Sequence, residues 1–359
     1  MQNQRPLKFS LHSVLEHLPP GCRELFESEE EFSLSHGWFR NMIATGLAPY
    51  HEARFGVLTE EERVVAILPL QYSNTNGYGS LTNCYSCLYR PLIASDTDLC
   101  EIARSLGREL GRINSSWPLT RIDCVPADWP PRAAFSEGLN AGGLVVRQFD
   151  HFGNWHEALD GRCWAEYLAA RPGNLRELLR RRRRQNDGVT GLTCEIIRTE
   201  ESVARGIQAF ETVYTRSWKP SEPFPRFNAG LISETARRGT LRLGVCWQQD
   251  QPVAVQLWVV RAGVATVLKL AHDEKHRGSS PGTVLTAVVV EQLIAEGIAA
   301  LDFGRGDDPY KRLWVTQRRQ RIGLLSANPR RLRGISALVR HDLGRLRRWQ
   351  DASGNANGP

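Results

Sequence analysis

The chain has 359 residues, 41% hydrophobic and 24% charged, with a net charge of +7. That length exceeds one typical core and predicts two domains, and the composition excludes a disordered chain. No run approaches the roughly eighteen apolar residues of a membrane span. Residues 1–8 lack the apolar core and small-residue cleavage site of a secretory signal, so a cytoplasmic protein is expected.

The first half predicts a strand at 7–11, a helix at 38–45, and strands at 53–58 and 63–71 around the Glu60-Glu61-Glu62 turn. Pro69 is expected at a strand end, since proline cannot donate to a ladder. Residues 98–113 carry Leu99, Ile102, Ala103, Leu106 and Leu110 on one helical face, and 121–125 and 143–150 are strand-like. Strands alternating with helices predict a mixed sheet with covering helices, and a domain junction near 150–165. The eight cysteines are scattered. Only Cys84-Tyr85-Ser86-Cys87 has metal or redox spacing, and no second pair follows it. Buried thiols are the expectation, with no metal site and no covalent cysteine chemistry.

The second half predicts a helix at 163–168 and a very basic helix at 175–185. Five consecutive arginines, Arg180–Arg184, cannot share one helical face, because neighbours sit ~100° apart. They form either a solvated helix or a positive rim for an acidic or phosphorylated ligand. With no interleaved aromatics, the run does not suit nucleic-acid stacking. A helix at 199–217, a proline-rich loop at 218–225 and a hairpin at 241–260 turning at Gln249-Asp250-Gln251 follow.

Two stretches then carry candidate chemistry. Residues 264–271 are β-branched and apolar, and run through His272, Asp273, Lys275 and Arg277 into Ser279-Ser280-Pro281-Gly282-Thr283. Apolar residues at helical spacing come next. Ser280 is a candidate N-cap, Pro281 suits the first helical position, and Gly282 admits a ligand close to the backbone. A helix start of this kind is an anion site, with Arg277 and Lys275 adding charge. The second stretch, 297–314, is an apolar strand ending at Asp302-Phe303-Gly304-Arg305-Gly306-Asp307-Asp308. It leads into a short Pro309 helix that presents Tyr310, Lys311 and Trp314. Strand-end loops of this type carry chemistry on a rigid scaffold, though a plain Gly-rich turn shares the local pattern.

Residues 160–325 resemble the GNAT-superfamily acyltransferase domain of FemAB-like proteins, nearest the CelD or BioF2-like acetyltransferase branch of bacterial polysaccharide gene clusters. The matching stretches are Asn174–Arg184, Tyr214–Trp218, Leu241-Arg242-Leu243, Pro252-Val253-Ala254, Lys269–Asp273, Ser280-Pro281-Gly282 and Asp302-Phe303-Gly304 through Tyr310-Lys311. Phe32–Trp38, Ile67–Leu70, Asn83-Cys84-Tyr85 and Arg90-Pro91-Leu92 resemble the usual first half, a degenerate copy of the same fold.

The resemblance implies an α/β fold of two tandem GNAT-like domains with mixed sheets. The boundaries expected are 1–155 for a degenerate domain, 156–328 for the acyltransferase domain, and 329–359 for a basic amphipathic helix and disordered tail. It also implies acetyl-CoA or another acyl-CoA as co-substrate, its pantetheine arm seated between the strands at 264–271 and 301–303. Lys269, Arg277, Ser279, Ser280, Pro281, Gly282 and Thr283 would bind that donor. Transfer needs a polarised carbonyl, a base for the amine and an acid for the leaving group. Backbone N–H groups around 269–272 answer the first need. His272 or Asp273 answers the second, with Asp302 behind them, although His272 also fits a structural role. Tyr310 answers the third, and Lys311, whose counterpart in FemAB-like relatives is implied to stabilise the transition state, is the foremost candidate. Trp218, Arg305, Asp307, Asp308 and Trp314 would contact the acceptor, with Asp307 and Asp308 equally suited to orienting Lys311 or capping the Pro309 helix.

The acceptor expected is an amine-bearing small molecule or saccharide of envelope or exopolysaccharide synthesis. The alternatives are a FemAB-type transferase using an aminoacyl-tRNA donor, the one route by which nucleic acid would enter, and a non-catalytic polyanion-binding module. Finally, 330–349 interleaves arginines with Ile335, Leu338, Val339, Leu343, Leu346 and Trp349. This fits either an interfacial helix on an anionic membrane's inner face or a helix packed across the two domains.

Overall fold

The computed structural model describes residues 6–186 and 191–354, with side chains considered except at 183–186 and 345–354. In chain order the first elements are β1 (Leu7–His12), α1 (Gly21–Ser28), α2 (His36–Thr45), β2 (His51–Glu60), β3 (Arg63–Ser73), β4 (Gly77–Ser80), β5 (Leu92–Ile93), α3 (Leu99–Ile113), β6 (Leu119–Pro126) and α4 (Arg132–Ala141). Then come β7 (Val145–Ala158), α5 (Trp164–Ala169), α6 (Gly173–Asn186), β8 (Leu192–Ile197), α7 (Glu200–Thr215), α8 (Phe227–Arg237), β9 (Leu241–Gln248), β10 (Gln251–Arg261) and β11 (Val264–His272). The last are α9 (Pro281–Ala295), β12 (Ala300–Arg305), β13 (Gln317–Ala327) and α10 (Leu332–Gly354). The chain forms two compact units that are not contiguous in sequence. One holds residues 1–29, 48–151 and 320–359, the other 30–47 and 152–319. The divisions expected after 155 and 328 therefore differ from these units: 30–47 clusters with the second, and 320–328 with the first.

In the first unit β1–β4 form a sheet in sequence order, with β5 beside β3. Pro69 lies inside β3, opposite Phe55, rather than at its end. Its carbonyl accepts from Leu81 N and Tyr89 Oη. A residue's N and C=O point to the same edge of a strand, so the missing N–H faces the gap between β4, which ends opposite Leu70, and β5, which pairs at Ala66 and Ile67. No ladder bond is lost. α3 and α4 pack through Gly107, Gly111, Gly138 and Gly142, where an added Cβ would strike backbone of the facing helix. Asp98 caps α3, accepting from Cys100 N and Glu101 N.

The second unit has the part of β7 from Phe152 on, then β12, β11, β10, β9 and β8 in that order. All pairs are antiparallel except β11 with β12. Gly206 of α7 packs on Leu243, whereas Gly244 faces Leu285 and Val289 of α9. Successive strand residues face opposite ways, so the sheet is covered on both sides. The β9–β10 hairpin turns on Gln249 and Asp250, both at positive φ (49° and 60°), with Gln248 opposite Gln251. That left-handed pair matches the twist of the strands.

Cys22, Cys124 and Cys246 are buried, but Cys84, Cys100 and Cys163 are exposed, the last two at helix starts, so the expectation of buried thiols holds only for part of the set. Among the described residues no cluster of three or more His, Cys, Asp or Glu could hold a metal, and no helix is long and apolar enough to cross a membrane.

Candidate acyl-transfer site

β11 and β12 run parallel for three residue pairs only, Val264–Ala300 to Thr266–Asp302. Beyond them no further pair joins the two strands, and the second half of β11 has no partner in β12. The β10–β11 register shifts between Leu257, opposite Lys269, and Trp258, opposite Val267, leaving Leu268 as an extra residue. Such a bulge re-aims the backbone, a device common beside active sites.

β11 ends at His272, and a 3-10 turn at Glu274–Ser279 leads into α9. Ser280 precedes the helix at φ +54°, a left-handed conformation, and its side chain does not cap. The expected cap is replaced by the backbone: Ser280 O accepts from Thr283 N and Val284 N. The Ser280 hydroxyl instead lies 3.4 Å from Arg182 Nη2, which also donates to Gly278 O. Arg182 thus brings the basic helix α6 to this turn, while Arg180 pairs with Glu177. Arg183 and Arg184 lie outside the described side chains. Pro281 is buried at the first helical position, Gly282 and Thr283 are half-exposed, Ser279 donates to His276 O, and Arg277 is exposed.

A residue not foreseen, Gln256 of β10, holds the first turn of α9 from below. Its Nε2 donates to Gly282 O (3.1 Å) and Thr286 Oγ1 (2.6 Å), and its Oε1 accepts from Trp258 Nε1. A satisfied buried network of this kind rigidifies what it supports.

The His272 ring is half-buried and lies 4.5 Å, centroid to centroid, from Trp218, with Nε2 3.5 Å from Glu274. A Cβ at Gly282 would sit 3.5 Å from its Nδ1, so the ring adjoins the start of α9. Burial lowers its pKa below the ordinary histidine value. Asp273 is buried and committed: it accepts from Lys275 N and lies 3.5 Å from His276 Nδ1 and 3.8 Å from Arg216. Asp302 is likewise buried and committed, accepting from Asn154 Nδ2, Gly304 N and Arg319 Nη2 at 2.6–2.7 Å.

Lys219 is the second unforeseen residue. Its ammonium lies 5.8 Å over the Trp218 ring and 5.9 Å over Tyr214. Burial, followed by the charge of Lys269, lowers its pKa to about 8, with Asp308, Glu222 and Lys311 near enough to contribute. Three segments therefore converge on it: the 214–222 stretch, β11, and the loop after β12. Lys269 is held by Glu222 at 2.6 Å and lies 5.6 Å over Tyr214.

Lys311 is only 2% exposed. Its Nζ donates to Arg305 O (2.6 Å) and Gly306 O (3.0 Å) and lies 3.5 Å from Asp308, so it holds the 305–308 loop closed. Asp308 thus orients Lys311, whereas Asp307 accepts from Gly153 N, Trp155 Nε1 and Arg318. The Arg318 bond holds the Asp307 carboxyl down at about 2. Arg305 stacks over Phe152 at 4.2 Å. Tyr310 packs 6.4 Å from Phe303, and burial raises its pKa well above the usual phenol range. Trp314 lies inside the core, its carbonyl accepting from Tyr167 Oη and Arg171. The structure thus brings Trp218, Lys219, Lys269, His272 and Gly282 near one another, whereas Asp273, Asp302 and Asp307 are committed to hydrogen bonds and ion pairs and Trp314 to the core.

The parting of β11 and β12 and the glycine-bearing start of α9 stand where the sequence placed them, and the β11 bulge was not foreseen. Residues 173–312 match the acetyltransferase (GNAT) domain family. This segment is similar to GNAT-type acetyltransferase domains. The chain is similar in fold to FemX (TM-score 0.58, 11% identity, covering 89% of this chain and 96% of that one). It is also similar to a tandem GNAT protein from the clavulanic acid biosynthesis pathway (0.54, 13%, 90% and 99%) and to L-PGS from Bacillus licheniformis (0.52, 12%, 84% and 94%). No curated protein matches the chain in sequence. The fold is the tandem GNAT arrangement expected, and the match of residues 173–312 supports an acyltransferase.

Proposed function

We propose that the protein transfers an acyl group, most simply acetyl, from acyl-CoA to the amine of a saccharide or small molecule used in envelope or exopolysaccharide synthesis. The observation that carries this reading is that β11, free of β12 beyond Thr266, ends at His272 against the start of α9, where His272 adjoins Gly282. A thioester laid along the bulged half of β11 meets backbone N–H groups, and its diphosphate meets the positive end of α9 with Arg277 at the rim. The donor's acyl group supplies the electrophile; the chain supplies position, charge and proton transfer.

His272, neutral at pH 7 because burial disfavours its charged form, accepts the amine proton as the new C–N bond forms. Lys219, over the Trp218 ring that adjoins His272, offsets charge growing on the carbonyl oxygen. Tyr310, kept protonated by burial, returns a proton to the departing thiolate. Lys311 keeps the 305–308 loop, and with it Asp308, in position.

The test is transfer of label from radiolabelled acetyl-CoA, with release of free thiol, across a panel of amino sugars and amines. Acetylation of an amine on the panel supports the reading. Transfer only from an aminoacyl-tRNA, abolished by ribonuclease, would replace it with the FemAB-type alternative.

A further inference from the structure

Of the nine large hydrophobic side chains exposed among the described residues, four lie on α10: Leu332, Ile335, Val339 and Leu343, which are 44–87% exposed. Their spacing puts them on one face, a stripe about 16 Å long at 1.5 Å per residue. The opposite face is the one that packs. Gly334 approaches Asn328 O and Pro118 O too closely for a Cβ, and Ala337 is buried. The helix is therefore anchored within the first unit by one side, and its larger apolar side chains are turned away from that anchor.

Charge accompanies the stripe. Arg333 and Arg340 are exposed and share one flank, seven residues apart, with Arg330 and Arg331 just before the helix. The one acid of 330–344, Asp342, is held by Arg147 at 2.9–3.2 Å and lies 3.3 Å from His341, so it does not offset the arginines. A cleft of about 620 Å³ lies alongside, lined by Arg121, Phe149, Asp150, Arg340 and His341 among others.

We infer that α10 is an interfacial helix that seats the protein on an anionic lipid surface, the apolar stripe entering the headgroup boundary and the arginine flank meeting lipid phosphates. An apolar stripe alone would suit any partner. A stripe bordered by unopposed arginines suits a surface that is apolar beneath and negative above.

The experiment is co-sedimentation of the full chain with phosphatidylcholine vesicles, with and without phosphatidylglycerol, beside light scattering of the free protein. Binding to the anionic vesicles only is expected. Ile335→Asp with Val339→Asp should abolish it at an unchanged melting temperature, and Arg333→Glu with Arg340→Glu should weaken it by at least about tenfold. Absence of binding by the wild type, equal binding to both vesicle types, or binding undiminished in either double variant would overturn the inference. So would a wild-type dimer that ignores vesicles and is broken by the apolar double variant, which would make the stripe a contact between copies of this chain.

Discussion

A histidine packed against an indole loses hydration, and its charged form loses most. His272, lowered by burial beside Trp218, should therefore be ready as a base below the ordinary histidine value of about 6.5. The rate should fall as pH drops through that depressed value, and His272→Gln should lower kcat roughly 100- to 10,000-fold while flattening the acid limb. Steady-state kinetics across pH checks both. The same shift has a stability sign: the unfolded chain binds the proton more readily, so the contribution is present above the unfolded value and lost as pH falls through the folded one. Lys219 works in the other direction. With a pKa of about 8 it sheds its charge as pH rises past 8, so an alkaline limb is expected there. Lys219→Arg, whose guanidinium stays charged, should move that limb upward; a limb unmoved at 8 would take Lys219 out of the reaction. His272 was legible in the sequence because it ends an apolar strand just before a Ser-Pro-Gly turn. Lys219 and Gln256 were not, since both depend on partners in other elements rather than on chain neighbours. Ser280 read as a cap because serine usually caps; its positive φ, invisible in sequence, turns its hydroxyl elsewhere.

At the scale of elements, period and turn chemistry carried furthest. The β9–β10 hairpin, α3 with its Asp98 cap and the apolar α9 follow from local pattern, because their own residues satisfy their backbone and choose their buried face. α8 and β8 were missed. α8 is held by long-range bonds, such as Asn41 Nδ2 to Phe227 O and the Arg40–Glu234 ion pair, that no sequence window contains. β8 begins beside residues 187–190, where polar and glycine residues obscure the period. α4 was also missed, although the Gly107/Gly111 and Gly138/Gly142 spacing it shares with α3 was present to be read. Those glycines set how near the two helices lie. Gly138→Ala should destabilise the protein by about 1–3 kcal/mol through overpacking, measured by denaturant unfolding. A cost near zero would mean that the helices separate without strain.

For the whole molecule, two domains were foreseen from length, but not their interleaving. Neither the clustering of 30–47 with 152–319 nor that of 320–328 with the first unit has a local signature, since contact rather than chain order defines a unit. The candidate site is assembled within the second unit, from a buried network under α9, a bulged β11 and a loop held by Lys311. Preorganisation of that kind is what electrostatic catalysis requires. The net charge of +7 favours encounter with anionic donors without selecting among them. The central claim is that acyl-CoA binds where His272 meets Gly282. A Cβ at Gly282 makes ordinary contacts only, so the site tolerates a small side chain, whereas an indole fills it. The most direct measurement is calorimetric titration of acetyl-CoA into the wild type, Gly282→Ala and Gly282→Trp. Micromolar to sub-millimolar binding is predicted for the first two and loss for the third, with all three folded. Undiminished binding by Gly282→Trp, or no binding by the wild type, would contradict the account.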